Sequence, residues 1–263
     1  VTTVVEYSGS GDPARSLALM WRTAERPSRG AKPALTVARI VRAAIDVADG
    51  EGLVALSMRR VADQLGVGTM SLYTHVPGKG ELLDLMLDTV YGETERPDMD
   101  GRPWRERLDQ VARANLALYS RHPWLLHVAT TRPPLGPNLI AKYDYELRAV
   151  ADAGLAEIEM DAVLSLVLQY VHGAARVSVE KSQAERQTGM TDNDWWMAHQ
   201  PFLAKIGDAA KYPLATAVGS AAGAAFDGTI DPGFAFEFGL SRLLDGIEVF
   251  VNRSADHPSR PGP

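Results

Sequence analysis

Apolar residues recur at helical spacing from residue 37 onward. Val37, Ile40, Val41, Ala44, Ile45 and Ala48 make one stripe, with Thr36 as N-cap before it and Gly50 and Gly52 closing it. Leu35 and Ile40 stand where a hydrophobic staple would, although Arg39 replaces the acid of a capping box. The device repeats at Leu56-Ser57, where Ser57 caps a second helix, Met58–Leu65, and Leu56 can staple to Val61. Gly66 ends that helix and Val67 points into the turn. A third helix is predicted from Gly68 to about Val76, where Pro77 forbids much continuation. Its inward positions are Leu72, Val76 and, in part, Met70. Two short helices joined by a tight glycine turn form a helix-turn-helix, whose second helix can enter a DNA major groove.

After residue 80 the pattern is almost all helical. Segments are predicted at Glu81–Tyr91, Trp104–Arg121, Leu125–Ala129, Asn138–Ala153, Met160–Ser182, Asp194–Asp208 and Pro232–Asn252. Residues 186–194 are polar and read as a mobile connection, and 212–230 are Ala/Gly-rich and ambiguous. No strand alternation survives a count. The expected fold is all-α, with a helix-turn-helix DNA-binding domain at 36–80 and a larger helical ligand-binding and dimerisation body at 81–254. A basic extension occupies 1–35 and a loose tail 255–263. Within the extension, Asp12-Pro13 opens a short helix whose apolar side is Leu17, Met20 and Trp21. That helix either stands apart or docks on the body through Trp21.

The outer face of the helix-turn-helix carries chemistry suited to nucleic acid. Arg59 could fork onto a guanine edge or clamp a phosphate. Thr69 and Ser71 are short hydroxyls, and Tyr73 and His75 can donate to phosphate oxygens. Lys79 opens the next helix, where free backbone N–H groups also attract a phosphate. Arg26 and Arg29 lie in a Pro/Ser/Gly-rich arm that could track the minor groove, or merely aid solubility. The bland alternative is a three-helix core with a solvated polar surface.

The run SMRRVADQLGVGTMSLYTHVPGKGELLDLM resembles the DNA-binding signature of the TetR family of one-component regulators. LYTHV, Lys79 and the leucine-rich Glu81–Leu87 are especially similar to the tetracycline-repressor branch. The resemblance is strong over about 50 residues, and extends over the remainder as a helix pattern. It implies base-reading positions at Arg59, Thr69 and Met70, and phosphate positions at Ser71, Tyr73, His75 and Lys79. Thr36 joins them as a candidate DNA contact. Gly68 and Met70 depart from the tetracycline repressor's own residues, so an operator sequence does not transfer.

Charge sharpens this picture. The net charge is −6, yet residues 1–80 hold ten Lys/Arg against seven Asp/Glu, and the remainder holds 17 against 26. A basic head and an acidic body suit a partner that only the head should touch. The absence of cysteine excludes disulfides and thiolate metal sites. No apolar run reaches about 18 residues and no signal peptide opens the chain, so a cytoplasmic protein without a membrane partner is expected. G-x-S-x-G, H-E-x-x-H and Walker A patterns are missing, and no enzyme activity, cofactor or metal is expected.

Two apolar helices at 160–182 and 233–252 would overfill one subunit's core. A homodimer is therefore expected, with Leu164, Leu168, Leu240, Leu243, Leu244 and Ile247 at its interface. Trp124, His127, Tyr143, Gln169, Tyr170, His172 and Arg176 are the candidate ligand contacts, because aromatic and polar groups on converging helices suit a small-molecule pocket. Trp195-Trp196 could lid that pocket or simply pack. The expected function is a regulator, a repressor released from a near-palindromic operator by a small molecule. The competing reading is a helical carrier or enzyme that kept a vestigial head.

Overall fold

The capping pattern around residues 36–66 sets the first compact unit. In the computed structural model, which describes residues 6–21, 35–206, 210–226 and 228–256, helix α2 spans Val37–Glu51 and α3 spans Met58–Leu65. Thr36 Oγ1 accepts from the Arg39 N–H at 3.2 Å, and Ser57 Oγ accepts from the Arg60 N–H at 3.1 Å. Each satisfies one donor that the first helical turn leaves free. Gly66 adopts φ 67°, a left-handed conformation that costs a glycine little, and reverses the chain into α4, Thr69–Tyr73. α4 is shorter than the sequence pattern predicts, because His75 and Val76 N–H groups both return to the Leu72 carbonyl and tighten its end.

Ile40, Ala44, Ile45, Val61, Ala62, Leu72 and Val76 are fully buried, and they share one core with α5, Lys79–Tyr91. The core continues into Trp124, Leu125 and Val128 of the next unit. A second core joins α6 (Trp104–Arg121), α8 (Glu157–Thr188) and α11 (Pro232–Asp256). Between α6 and α8 lie a 3₁₀ turn, Pro123–His127, and helix α7, Pro137–Leu147. α9 (Asp192–Ile206) and α10 (Pro213–Phe226) complete the chain order, and Trp196 of α9 rests on Gly223 of α10. α8 continues through residues read as a mobile connection and stops at left-handed Gly189. The ambiguous 212–230 stretch is largely helical, as its alanines favour.

The N-terminal extension docks. Helix α1 (Pro13–Met20) packs on α5, and strand β1 (Glu6–Tyr7) pairs in parallel with β2 (Val128–Ala129). Two-residue strands are too short to leave an alternation in sequence. The Trp21 indole N–H donates to the Leu135 carbonyl at 3.1 Å, so the docked alternative holds. Arg26 and Arg29 fall outside the described residues.

The dimer positions need correction. Leu164, Leu240, Leu244 and Ile247 are 1–4 % exposed within a single subunit, in the core shared with α6. They fill the crossing of α8 and α11, leaving little surface for a partner. Leu168 and Leu243 are partly buried. The outward stripes carry Leu166, Gly173 and Val177 on α8, and Leu243, Gly246 and Phe250 on α11, whereas Gly239 makes room for Tyr170 of the same subunit. By length and hydropathy α8 is the one described helix that could cross a membrane, but its buried face packs against α6 and α11.

Candidate nucleic-acid interface and the joint behind it

The two adjacent arginines of α3 have different fates. Arg60 donates from Nε and from a terminal nitrogen onto Glu51, with Nε–Oε1 at 3.0 Å, and reaches Gln64 Oε1 at 3.0 Å. That bond holds the Glu51 carboxyl below its usual range and raises Arg60. Arg59, one residue earlier, is exposed and has no hydrogen-bond or ion-pair partner among the described residues. On α4, Met70 is 76 % exposed and Tyr73 43 %, while Leu72 between them is fully buried. Thr69 and His75 are half-buried and Ser71 is exposed. The guanidinium, hydroxyls and phenol form the outward row that the pattern predicts; Met70, which the pattern turns partly inward, instead stands out in the same row, because the short α4 buries only Leu72.

Two expected contacts are already engaged. Thr36 Oγ1 caps α2. Lys79 Nζ donates to Glu6 Oε1 at 2.6 Å, so a phosphate reaching Lys79 would compete with the N-terminal strand.

α5 follows the recognition helix directly, and one of its faces carries carboxylates inside the protein. Glu81, Asp84 and Asp88 are 7 %, 2 % and 4 % exposed. The spacing places all three on one side of the helix. Each has partners. The Asp12 N–H donates to Glu81 Oε1 at 2.9 Å. Asp84 accepts from the Gly9 N–H and the Ser16 hydroxyl, both at 2.8 Å. Asp88 accepts from the Asn138 and Leu139 N–H groups and from the Asn138 amide. Burial pushes the Asp88 carboxyl above its ordinary value, against the pull of those bonds. The helix leading from α4 is thus tied along this face, first to the N-terminal extension and, a turn further on, to the start of α7.

A second set of charges closes the joint between α2 and the body. His122 is 3 % exposed, with Nδ1 2.8 Å from Asp49 Oδ1 and Nε2 2.9 Å from Glu93 Oε2. The Trp124 indole donates to the same Asp49 oxygen at 2.9 Å, and Arg42 of α2 donates to Glu93 at 3.1 Å. Burial pushes Glu93 upward, but the His122 and Arg42 bonds and charges outweigh it and hold its carboxyl below the usual range. A carboxyl lowered by folding contributes stability above its unfolded value, about 4.3, and that contribution is lost as pH falls through the folded value. Glu93→Gln should therefore be less stable than the unsubstituted chain at pH 7, with the two converging below about pH 4. Urea denaturation at both pH values measures this, and a gap of equal size at each would remove the charge from the account.

The seven candidate ligand residues do not converge. Trp124 is buried at the joint, and His127 lines a cleft beside it. The Tyr143 hydroxyl donates to Asp161 at 2.7 Å on the surface. Gln169 and Arg176 are exposed, the latter paired with Glu180 at 2.8 Å. Tyr170 donates to the Phe236 carbonyl at 2.9 Å. His172 is half-buried and meets the Tyr119 ring edge-on at 5.5 Å. Burial, then the Arg176 charge, lowers its imidazole below the ordinary value. Trp195 stacks on His199 with ring centroids 4.1 Å apart.

Beside His172 lies a polar centre that the sequence pattern did not single out. Lys142 and Glu146 are 5 % and 2 % exposed and pair at 2.5 Å. The Asn115 amide donates to Glu146 at 2.6 Å, and Lys142 Nζ sits 5.7 Å from the centre of the Tyr91 ring. Burial pushes the Tyr91 phenol well above its ordinary value and Tyr119 up to about 12. Lys142 and Glu146 stand one turn apart, the same spacing that exposed helical ion pairs have, so spacing alone does not mark the pair as buried. No group of three or more His, Asp or Glu fit to hold a metal occurs among the described residues.

The chain and its fold resemble known proteins. Residues 40–86 match the family described as Bacterial regulatory proteins, tetR family, and residues 96–251 match Tetracyclin repressor-like, C-terminal domain. The HTH-type transcriptional repressor DrrR1 of Streptomyces coeruleorubidus is 49 % identical over 248 residues, covering 94 % of this chain and 89 % of that protein. Apo ActR from Streptomyces coelicolor is 28 % identical with a TM-score of 0.68, over 85 % of this chain and all of its own. ActR in complex with actinorhodin superposes with a TM-score of 0.65 at 29 % identity, over 81 % of this chain and 94 % of that one.

Proposed function

This chain belongs to the TetR family of bacterial transcriptional regulators, and we propose that it is a cytoplasmic repressor that leaves its operator when a small molecule binds its body. The observation that carries this reading is the unpartnered row on α3 and α4. Arg59, Met70 and Tyr73 project from a fully buried three-helix core, which a carrier or an enzyme would not require. We assign residues 36–80 to DNA and 81–254 to ligand and dimer. Arg59, Thr69 and Met70 read bases, and Ser71, Tyr73 and His75 hold phosphates, with Lys79 joining them once freed from Glu6. The protein works by binding, not by catalysis.

Family members act on DNA as dimers, and the outward stripes of α8 and α11 suit that contact. Glycines at 173 and 246 allow two helix pairs to approach closely around Leu166, Leu243 and Phe250. The two-fold axis would set the recognition helices about one DNA turn, or a multiple of it, apart.

The polar centre of Tyr91, Asn115, Tyr119, Lys142, Glu146 and His172 is our candidate effector region. Its bonds are internally satisfied here, so a ligand entering it must exchange partners with Lys142 or Glu146. α7 carries both residues and its first turn holds Asp88, so a shift of α7 moves α5 and with it α4. A coupling of about 1–3 kcal/mol between effector and operator suffices for release. The solved ActR complex with actinorhodin supports an aromatic effector class.

The test is a gel shift with DNA upstream of the protein's own gene, over a salt series, with and without actinorhodin as the probe. The expected result is a complex that resists competitor DNA, weakens steeply with salt and shows a near-palindromic footprint. Weak binding to every promoter, indifferent to sequence, would return the carrier reading to first place.

A further inference from the structure

A cleft of about 500 Å³ opens between the DNA-binding head and the body, away from the polar centre described above. One wall is the end of α2 and the following 3₁₀ turn, residues 48–54. The other is formed by Pro123, the edge of Trp124, His127 and the last turns of α8. Its volume lies within the range of small-molecule sites, roughly 300–1,000 Å³.

The polar groups of the two walls differ in their freedom. Asp49 is engaged by His122 and Trp124, and Glu51 by Arg60. On the body side, the side chains of His127, Gln183 and Gln187 have no hydrogen-bond partner among the described residues. Arg186 donates only from Nε, to the Ser182 carbonyl at 3.1 Å, which leaves its two terminal nitrogens free. The acids are spent and the donors are not, over an apolar floor that includes Leu53, Val54 and Pro123.

We propose that this cleft is a second small-molecule site, for a flat, largely apolar molecule bearing one carboxylate. Arg186 takes the carboxylate in its fork, the glutamine amides and His127 donate around it, and the ring lies between Val54 and Pro123. An occupant touches head and body at once, so it fixes the angle between them directly. The site does not depend on the effector reading of the polar centre.

The probe is 1-naphthoate, titrated calorimetrically into the full-length protein, with 1-naphthylmethylamine as the cationic counterpart. The unsubstituted chain should bind one naphthoate per subunit and bind the amine more weakly. Arg186→Ala should weaken naphthoate by about tenfold or more, since a charge-assisted bond is lost. Gln183→Trp, which fills the cleft from α8, should abolish binding. Both positions lie at the surface, and unchanged thermal melting will show that each variant is folded. Naphthoate that fails to bind, or binds all three proteins alike, overturns the site. A preference for the amine overturns the ligand class.

Discussion

Arg59→Ala will cost about 1–3 kcal/mol of operator affinity in each half-site, the range for a bidentate base contact. A two-fold dimer meets two half-sites, so the loss is about 2–6 kcal/mol, or roughly thirtyfold to more than ten-thousandfold. The neighbouring arginine has a different role. Arg60 is pinned by Glu51 and Gln64, so its guanidinium is occupied in holding α3 to the end of α2. Arg59 is exposed with its five donors free. Arg60→Ala should therefore reduce stability more than base discrimination. Anisotropy titrations with the operator and with a scrambled duplex separate the roles. Arg59→Ala should shrink the ratio between the two duplexes, because a base contact carries sequence information and a phosphate contact does not. Equal losses on both duplexes would make Arg59 a phosphate clamp, and no loss on either would mean that this face does not meet DNA.

The head was legible from sequence because every local signal there is strong. Thr36 and Ser57 cap where they should, Gly66 turns where it should, and the apolar stripes at 40–48 and 61–76 are the buried ones. The body was legible as helices but not as faces. Leu240, Leu244 and Ile247 have the period of an interface, and the same period serves an intrasubunit core. Periodicity says that a stripe is buried, not by which chain. The outward stripe owes its character to glycines and single large residues, such as Gly246 and Phe250, which a search for leucines passes over.

Buried charge escaped for a related reason. Glu81, Asp84 and Asp88 look like the polar face of an amphipathic helix, and α5 is instead covered on every side. Most of their partners are backbone N–H groups, of Gly9, Asp12, Asn138 and Leu139, joined by the Ser16 hydroxyl and the Asn138 amide; all are distant in sequence, and the backbone donors carry no side-chain signature. His122 shows the same limit. Its pairing with Asp49 and Glu93 needs three segments brought together, and none of the three spacings announces it. Gly136 could have hinted at this packing, since a Cβ there would collide with the Asp88 carboxylate.

Glu146→Ala should destabilise the fold by about 3–5 kcal/mol, the cost of leaving one member of a buried ion pair behind. Lys142 would keep its charge at 5 % exposure with no carboxylate in reach, and the Asn115 amide would lose its shorter acceptor. Lys142→Met alone should cost less, because Glu146 would still accept from Asn115. The double variant Lys142→Met, Glu146→Leu removes both charges and fills similar volume. It should recover most of the stability, since an apolar pair can replace a buried salt bridge at little cost. Urea denaturation of the three variants gives the cycle, and a double variant as unstable as Glu146→Ala would mean that packing, not charge, sets the loss. The same protein then separates structure from signalling. If this centre is where the effector exchanges partners, the restored double variant will bind operator normally and no longer release it to an aromatic effector that releases the unsubstituted protein. Normal release by a stable double variant would move the effector away from Lys142 and Glu146, and leave that pair as the internal tie that holds α7 to α6.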